Sequence, residues 1–413
     1  MVKFLFLILL LCAETANSQT LSGVDWETAT PEQIQKLIDD GASVTDDSLL
    51  VVAGSNSNPA VIEALIKAQA DVNARDKEGG TPLMSAAGKN PNPAVIEALI
   101  KAKADVNARN KDGWTPLILA AGKNPNPAVI EALIKAKADV NAQIDGGGTP
   151  LMAAARFNSS PAVIEALIKA QANVNARDKD GSTPLMFAAQ FNFSPAVIEA
   201  LIKAKADVNA RDQNGWTPLI RAAGKNPNPA VIEALIKAKA DVNARDQNGV
   251  TPLMLAAGFN SNPAVIEALI KAKADVSARD QNGWTPLILA AYDNSNPAVI
   301  EALIKAKADV NARNKNGVTP LMLAAYDNSN PAVIEALIKA KADVNARNKN
   351  GGTPLMAAAG FNSNPAVVEA LIKAKADVTA RDISGKTAFD YAEDNPKIKG
   401  TSVYWKLNDL MYK

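Results

Sequence analysis

The 413-residue chain contains no histidine and a single cysteine, Cys12. The first absence removes the side chain that titrates nearest neutrality, the commonest general base. The second excludes disulfide staples, thiolate metal sites and cysteine nucleophiles from the mature chain, because Cys12 falls in a leader expected to be cleaved. Neither sign of charge prevails: 44 Lys and Arg face 43 Asp and Glu, so no overall field attracts nucleic acid or an anionic membrane. Aromatic residues make up only 5% of the chain. Gly-x-Ser-x-Gly, phosphate-loop and zinc-protease motifs are missing too.

The apolar run from Phe4 to Leu11 is too short to span a bilayer. With one Lys before it and small residues ending at Ala16-Asn17-Ser18 after it, the run predicts a secretory signal peptide over residues 1–18. The mature protein is then exported, periplasmic or secreted, with no membrane insertion after cleavage. Lipidation of Cys12 is the second reading, weakened by the bulk of Leu11 just before it.

What the chain has in abundance is repetition. A Thr-Pro pair begins at Thr81, Thr115, Thr149, Thr183, Thr217, Thr251, Thr285, Thr319 and Thr353, always 34 residues apart, which argues one stacked array rather than several globular domains. In each copy the Thr can cap a short helix with Pro at its first position and Ala-Ala on a flat face, as at Thr115, Pro116, Ala120 and Ala121. Asn124 and its counterparts end that helix, where a left-handed conformation is expected for them. Asn126 and Pro127 open a second helix whose Val129, Ile130, Leu133 and Ile134 form an apolar stripe. A hairpin this small cannot cover both its faces alone, so its neighbours must. Thr30-Pro31-Glu32-Gln33 reads as a capping box opening an isolated helix, and the irregular segment from Gly385 to Lys413 closes the array.

The pattern Asp212-x-x-Gly215-x-Thr217-Pro218-Leu219, then Ala222-Ala223, Leu235-Ile236 and Ala240 to Ala244, resembles the ankyrin repeat family. The resemblance implies an all-α solenoid of about eleven stacked helix pairs, end caps included, with β-hairpin fingers projecting from it. Its parts are the signal peptide over 1–18, an N-terminal capping helix and irregular repeat over 19–74, nine 34-residue repeats over 75–380 and a C-terminal capping repeat over 381–413. Three departures stand out. The family's His after Thr-Pro-Leu is Met or Ile (Met84, Ile118), the loop between helices is one residue longer, and the Gly ending the second helix survives only at Gly41. Elsewhere that last position holds Lys or Gln, each costing about 1 kcal/mol if left-handed.

Paired carboxylates recur in every unit, and Glu131 with Lys135, or Glu301 with Lys305, has the spacing of a helix-surface ion pair. Asp241 to Asp246 opens like a calcium loop but lacks its Gly and closing Glu, so no metal and no cofactor is expected. The Arg column, Arg75 to Arg381, reads as a ladder between fingers rather than a phosphate track, so no nucleic acid is expected. Asn158-Ser159-Ser160 and Asn192-Phe193-Ser194 match glycosylation acceptors, although helix ends and caps already account for them.

Copies that solve one folding problem should agree where packing rules and differ where it does not. The differing places precede Thr-Pro and follow Ala-Ala; the resemblance puts them on the fingers and the concave face that grips partners. They hold Trp114, Trp216, Trp284, Tyr292, Tyr326, Phe157, Phe191, Phe259, Asp293, Asp327, Lys123 and Lys225, the candidate partner-binding residues. Trp284, Tyr292 and Tyr326 are expected to form one patch, with Asp293 and Asp327 beside them. The function expected is that of a non-enzymatic, monomeric scaffold holding a protein partner. The alternatives are a carboxylate-only hydrolase and a spacer without a specific partner.

Overall fold

The structure, a computed structural model, describes residues 25–40, 42 and 44–411. The leader, Cys12 and Gly41 lie outside the described residues. The chain divides into two compact units, Met1–Ala154 with Glu165–Ala172, and Ala155–Ile164 with Asn173–Lys413. Each unit is a stack of helix pairs, and the described residues contain 23 helices and no strand. No described helix is long and apolar enough to cross a membrane.

The local chemistry of one repeat in the second unit explains its elements. Thr217 sits in extended backbone and its hydroxyl accepts from the Ile220 amide, so the helix Pro218–Lys225 starts with one of its orphan donors satisfied. Asn228 does the same through Ala230 for the helix Pro229–Lys237. Leu219, Ile220, Val231, Ile232 and Leu235 are fully enclosed, each contributing about 1.5–3 kcal/mol by leaving water. Ala222 and Ala223 are buried as well, and their small size lets successive first helices pack closely against one another. At the chain start the Thr30–Gln33 capping box forms as the sequence predicts.

The second helix ends in a left-handed residue. Lys137 has φ +71°, its amide bonds the Ile134 carbonyl and the Ala138 amide bonds Leu133, the paired bonds of a Schellman cap. Nine further Gln or Lys residues, among them Lys103, Lys205 and Lys239, share this conformation. Lys137→Gly should therefore stabilise the protein by about 0.5–1 kcal/mol, the relief of the Cβ clash exceeding the entropy gained by the unfolded chain. A lowered urea midpoint would contradict this.

The Asn after the first helix corrects the expectation of a left-handed residue. Asn124 is extended, at φ −96° and ψ 117°. What fixes it is its side chain, which is buried and donates to the Ala87 and Asn90 carbonyls of the preceding repeat. Asn226 donates likewise to Ala189 and Asn192, and its Oδ1 accepts from the Asn228 amide. The rung repeats within each unit, from Asn56, which reaches Trp26 and Ala29, to Asn395, which reaches Ala359 and Asn362. Asn192 is thus buried and committed, which leaves no room for a glycan. Ser194 occupies its cap position without a side-chain cap bond.

The fingers are tight turns rather than β-hairpins. In one of them Asp212 Oδ1 accepts from the Asn214 and Trp216 amides, and Gly215 turns the chain at φ +79°. A Cβ on Gly215 would stand 3.2 Å from the Gln247 amide nitrogen of the next finger, so Gly is required for approach as well as for φ. A single backbone bond joins this finger to the one before, Gln213 N–H to Asp180, too little to build a strand ladder. The Arg column ties the fingers together as expected: Arg211 Nη1 donates to Gly215 and to Arg245, and Arg245 to Gly249 and Arg279.

Candidate functional site

The variable residues emerge where the first helices end and the fingers begin. Phe157, Phe259 and Phe361, each the last residue of a first helix, are 59, 62 and 57% exposed. Burying such rings against a partner would release far more apolar surface than a solvated helix face offers. Phe191 and Tyr326 are also exposed, while Tyr292 is half-buried. Lys123 and Lys225 occupy the same helix-end position and are exposed. Burial lowers the Lys123 pKa, and Lys89 on the preceding first helix lowers it further.

Trp114, Trp216 and Trp284 are half-buried. Trp114 lies against the small cluster of Ile118, Ala142 and Ala153 together with Ile144. Trp216 donates its Nε1–H to Asp246 Oδ2 in the following finger, at 3.2 Å. Trp284 meets Tyr292 edge to face, with ring centroids 6.1 Å apart. Tyr326 stacks on Phe361 at 4.9 Å, and Phe361 continues to Tyr391 at 6.3 Å. Burial raises the Tyr292 pKa, and the charges of Asp327 and Asp293 raise it further.

Burial also raises the Asp293 carboxyl above its ordinary value, and Asp327 adds to the shift. The folded chain therefore keeps this proton to higher pH than the unfolded chain. The stability it contributes is present in acid and lost as pH rises through the folded pKa. Asp293→Asn should raise the melting temperature near about pH 7 and leave it almost unchanged well below the carboxylate range. Thermal melts at the two acidities check the sign. Asp293 and Asp327 end neighbouring first helices on an exposed part of the surface.

Sequence reasoning passed over Arg221. Its guanidinium bonds Asp212 Oδ2 at 2.6 Å, Ser182 Oγ at 2.8 Å and Gln190 Oε1 at 3.0 Å, joining neighbouring repeats through a buried carboxylate. The signal was present, because the same column holds Ser85, Leu119, Ala153, Phe187 and Leu255 in other copies. Phe361, Tyr391, Arg156 and Phe193 were also left out of the candidate set.

Stacked helix pairs whose constant residues pack and whose helix ends carry unmatched aromatic and charged side chains define a repeat scaffold for molecular contact. The chain belongs to the ankyrin repeat family: the model described as ankyrin repeats (3 copies) matches it in ten overlapping segments between residues 30 and 398. Ankyrin repeats are generally scaffolds for interaction between proteins, and members are typically without enzymatic activity. The comparison with curated proteins gave no match.

Proposed function

We propose that this chain is an exported, non-enzymatic scaffold that holds a protein partner on the face formed by its first-helix ends and fingers. The observation that carries the reading is the aromatic run of the second unit, Trp284 with Tyr292 and Tyr326 with Phe361 and Tyr391. Tyr326 and Phe361, exposed at the ends of neighbouring first helices, supply contact area at low entropic cost, which is what anchors an interface. Export rests on the leader composition alone.

A photo-reactive phenylalanine analogue at Phe259 or Phe361, compared with the same group at Lys305 on a second helix, tests the reading. In native extract the first two positions should form a discrete adduct with one protein, and Lys305 should not. Equal labelling from all three would move the interface off this face.

A further inference from the structure

The second unit contains a cation without a counter-charge. Arg156 lies near the end of the helix Pro150–Phe157, and its guanidinium carbon sits 4.3 Å from the centroid of Phe191, 4.9 Å from Phe157 and 5.8 Å from Phe187. Its Nε is buried without a hydrogen bond, as is that of Arg221, and, unlike Arg221, Arg156 has no carboxylate within ion-pair distance among the described residues. Arg221 is the internal comparison: the same residue type, with Asp212, Ser182 and Gln190 supplied by the fold. Burial alone lowers the Arg156 pKa, with no neighbouring charge acting on it.

Around Arg156 opens a cleft of ≈ 190 Å³ whose walls are Phe157, Phe191 and Phe193, with Ser159 and Ser194 at its edge. Phe193 is as exposed as Phe157. That volume is below the roughly 300–1,000 Å³ of small-molecule pockets and fits one amino-acid side chain. A guanidinium set among aromatic rings, with no carboxylate partner of its own, still has its fork of terminal N–H donors to offer a planar acceptor.

We propose that the Arg156 cleft seats the carboxylate of an acidic side chain in the protein partner, with the apolar residues flanking it lying on Phe157 and Phe193. The charge of Arg156 selects the carboxylate, and the rings around it select apolar neighbours. The assignment rests on the scaffold reading above, but it concerns a different set of residues from the aromatic run at Trp284 to Tyr391.

The test uses the full chain and two blocked peptides, acetyl-Gly-Phe-Glu-Phe-Gly-amide and its counterpart with Gln at the centre, followed by ligand-detected NMR. The Glu peptide should bind about tenfold more tightly or better, as expected of a hydrogen bond to a charged group. Arg156→Gln should erase the difference, and Arg156→Lys should keep part of it because the charge remains while the fork is lost. Indistinguishable binding of the two peptides by the native chain, including none, overturns the proposal, as does a preference that survives Arg156→Gln. Tighter binding of an acetyl-Gly-Phe-Phe peptide with a free carboxyl end overturns it too, by making the cleft a clamp for chain ends. Should Arg156→Gln fail to fold, the native preference for Glu must still shrink several-fold between roughly 50 and 500 mM salt, and a constant ratio overturns the assignment. None of these failures would erase adducts formed at Phe259 or Phe361, so the two readings fall separately.

Discussion

Changing Trp284, Tyr292 and Tyr326 together to Ala should weaken partner capture by more than about a hundredfold. Interface aromatics typically cost about 2 kcal/mol or more each on truncation, and the estimate allows for non-additivity. Stability should change less. Tyr326 is exposed, but Trp284 and Tyr292 are half-buried and pack edge to face, so a loss of about 1–3 kcal/mol in total is expected. Ala at Glu301 and Lys305 controls for nonspecific effects and should leave both measurements nearly unchanged. Intact capture in the triple variant would remove these residues from the interface. A collapse of the melting temperature would instead assign them to the core.

Asn226→Ala should be among the most damaging single substitutions in the chain, at about 3–5 kcal/mol. It strips the buried Ala189 and Asn192 carbonyls and the part-buried Asn228 amide of their partner at once, Asn226 itself being fully enclosed. Each buried polar group so orphaned costs about 1–3 kcal/mol. Asn228→Ala, two residues on, removes a helix cap and one outer bond to Phe193 where water can substitute, so about 1 kcal/mol is expected. Because repeats support only their neighbours, the damage should appear first as faster hydrogen exchange in the helices Pro184–Phe191 and Pro218–Lys225. Equal cost for the two variants would mean that the buried rung is not the principal polar tie.

The contrast between these two Asn residues also marks how far the sequence could be read. Period, caps and apolar stripes are local properties, so the helix pairs and the Thr and Asn caps were legible; the left-handed Lys137 was raised only as a condition, from the Gly that the family keeps there. Asn124 was misread because its partners, Ala87 and Asn90, lie 37 and 34 residues away. A local rule for helix ends cannot register a side chain that leaves its own repeat. The hairpin fingers were implied by the family resemblance, not read from these residues: within a finger the bonds Asp212 N–H to Trp216 and Gly215 N–H to Asp212 close a turn from which no strand extends. Of the candidate site, the columns that vary were visible, since variation among copies needs no structure. Which of their members protrude was not. Trp216 bonds the next finger while Phe259 stands free, although both fill variable columns. Arg156 and Arg221 stand in different columns, seven and four residues after their Thr, and only Arg221 meets a carboxylate.

The buried Asn rungs all point the same way, each donor reaching back to carbonyls one repeat earlier. A ladder with this translational symmetry has no preferred length. Within either unit, cutting out one 34-residue period, or inserting another, hands every donor to an acceptor of the same kind as the one it had. Copy number is then a variable that duplication or loss can change without redesigning any interface, while each new copy brings a fresh helix end on which a different side chain can be tried.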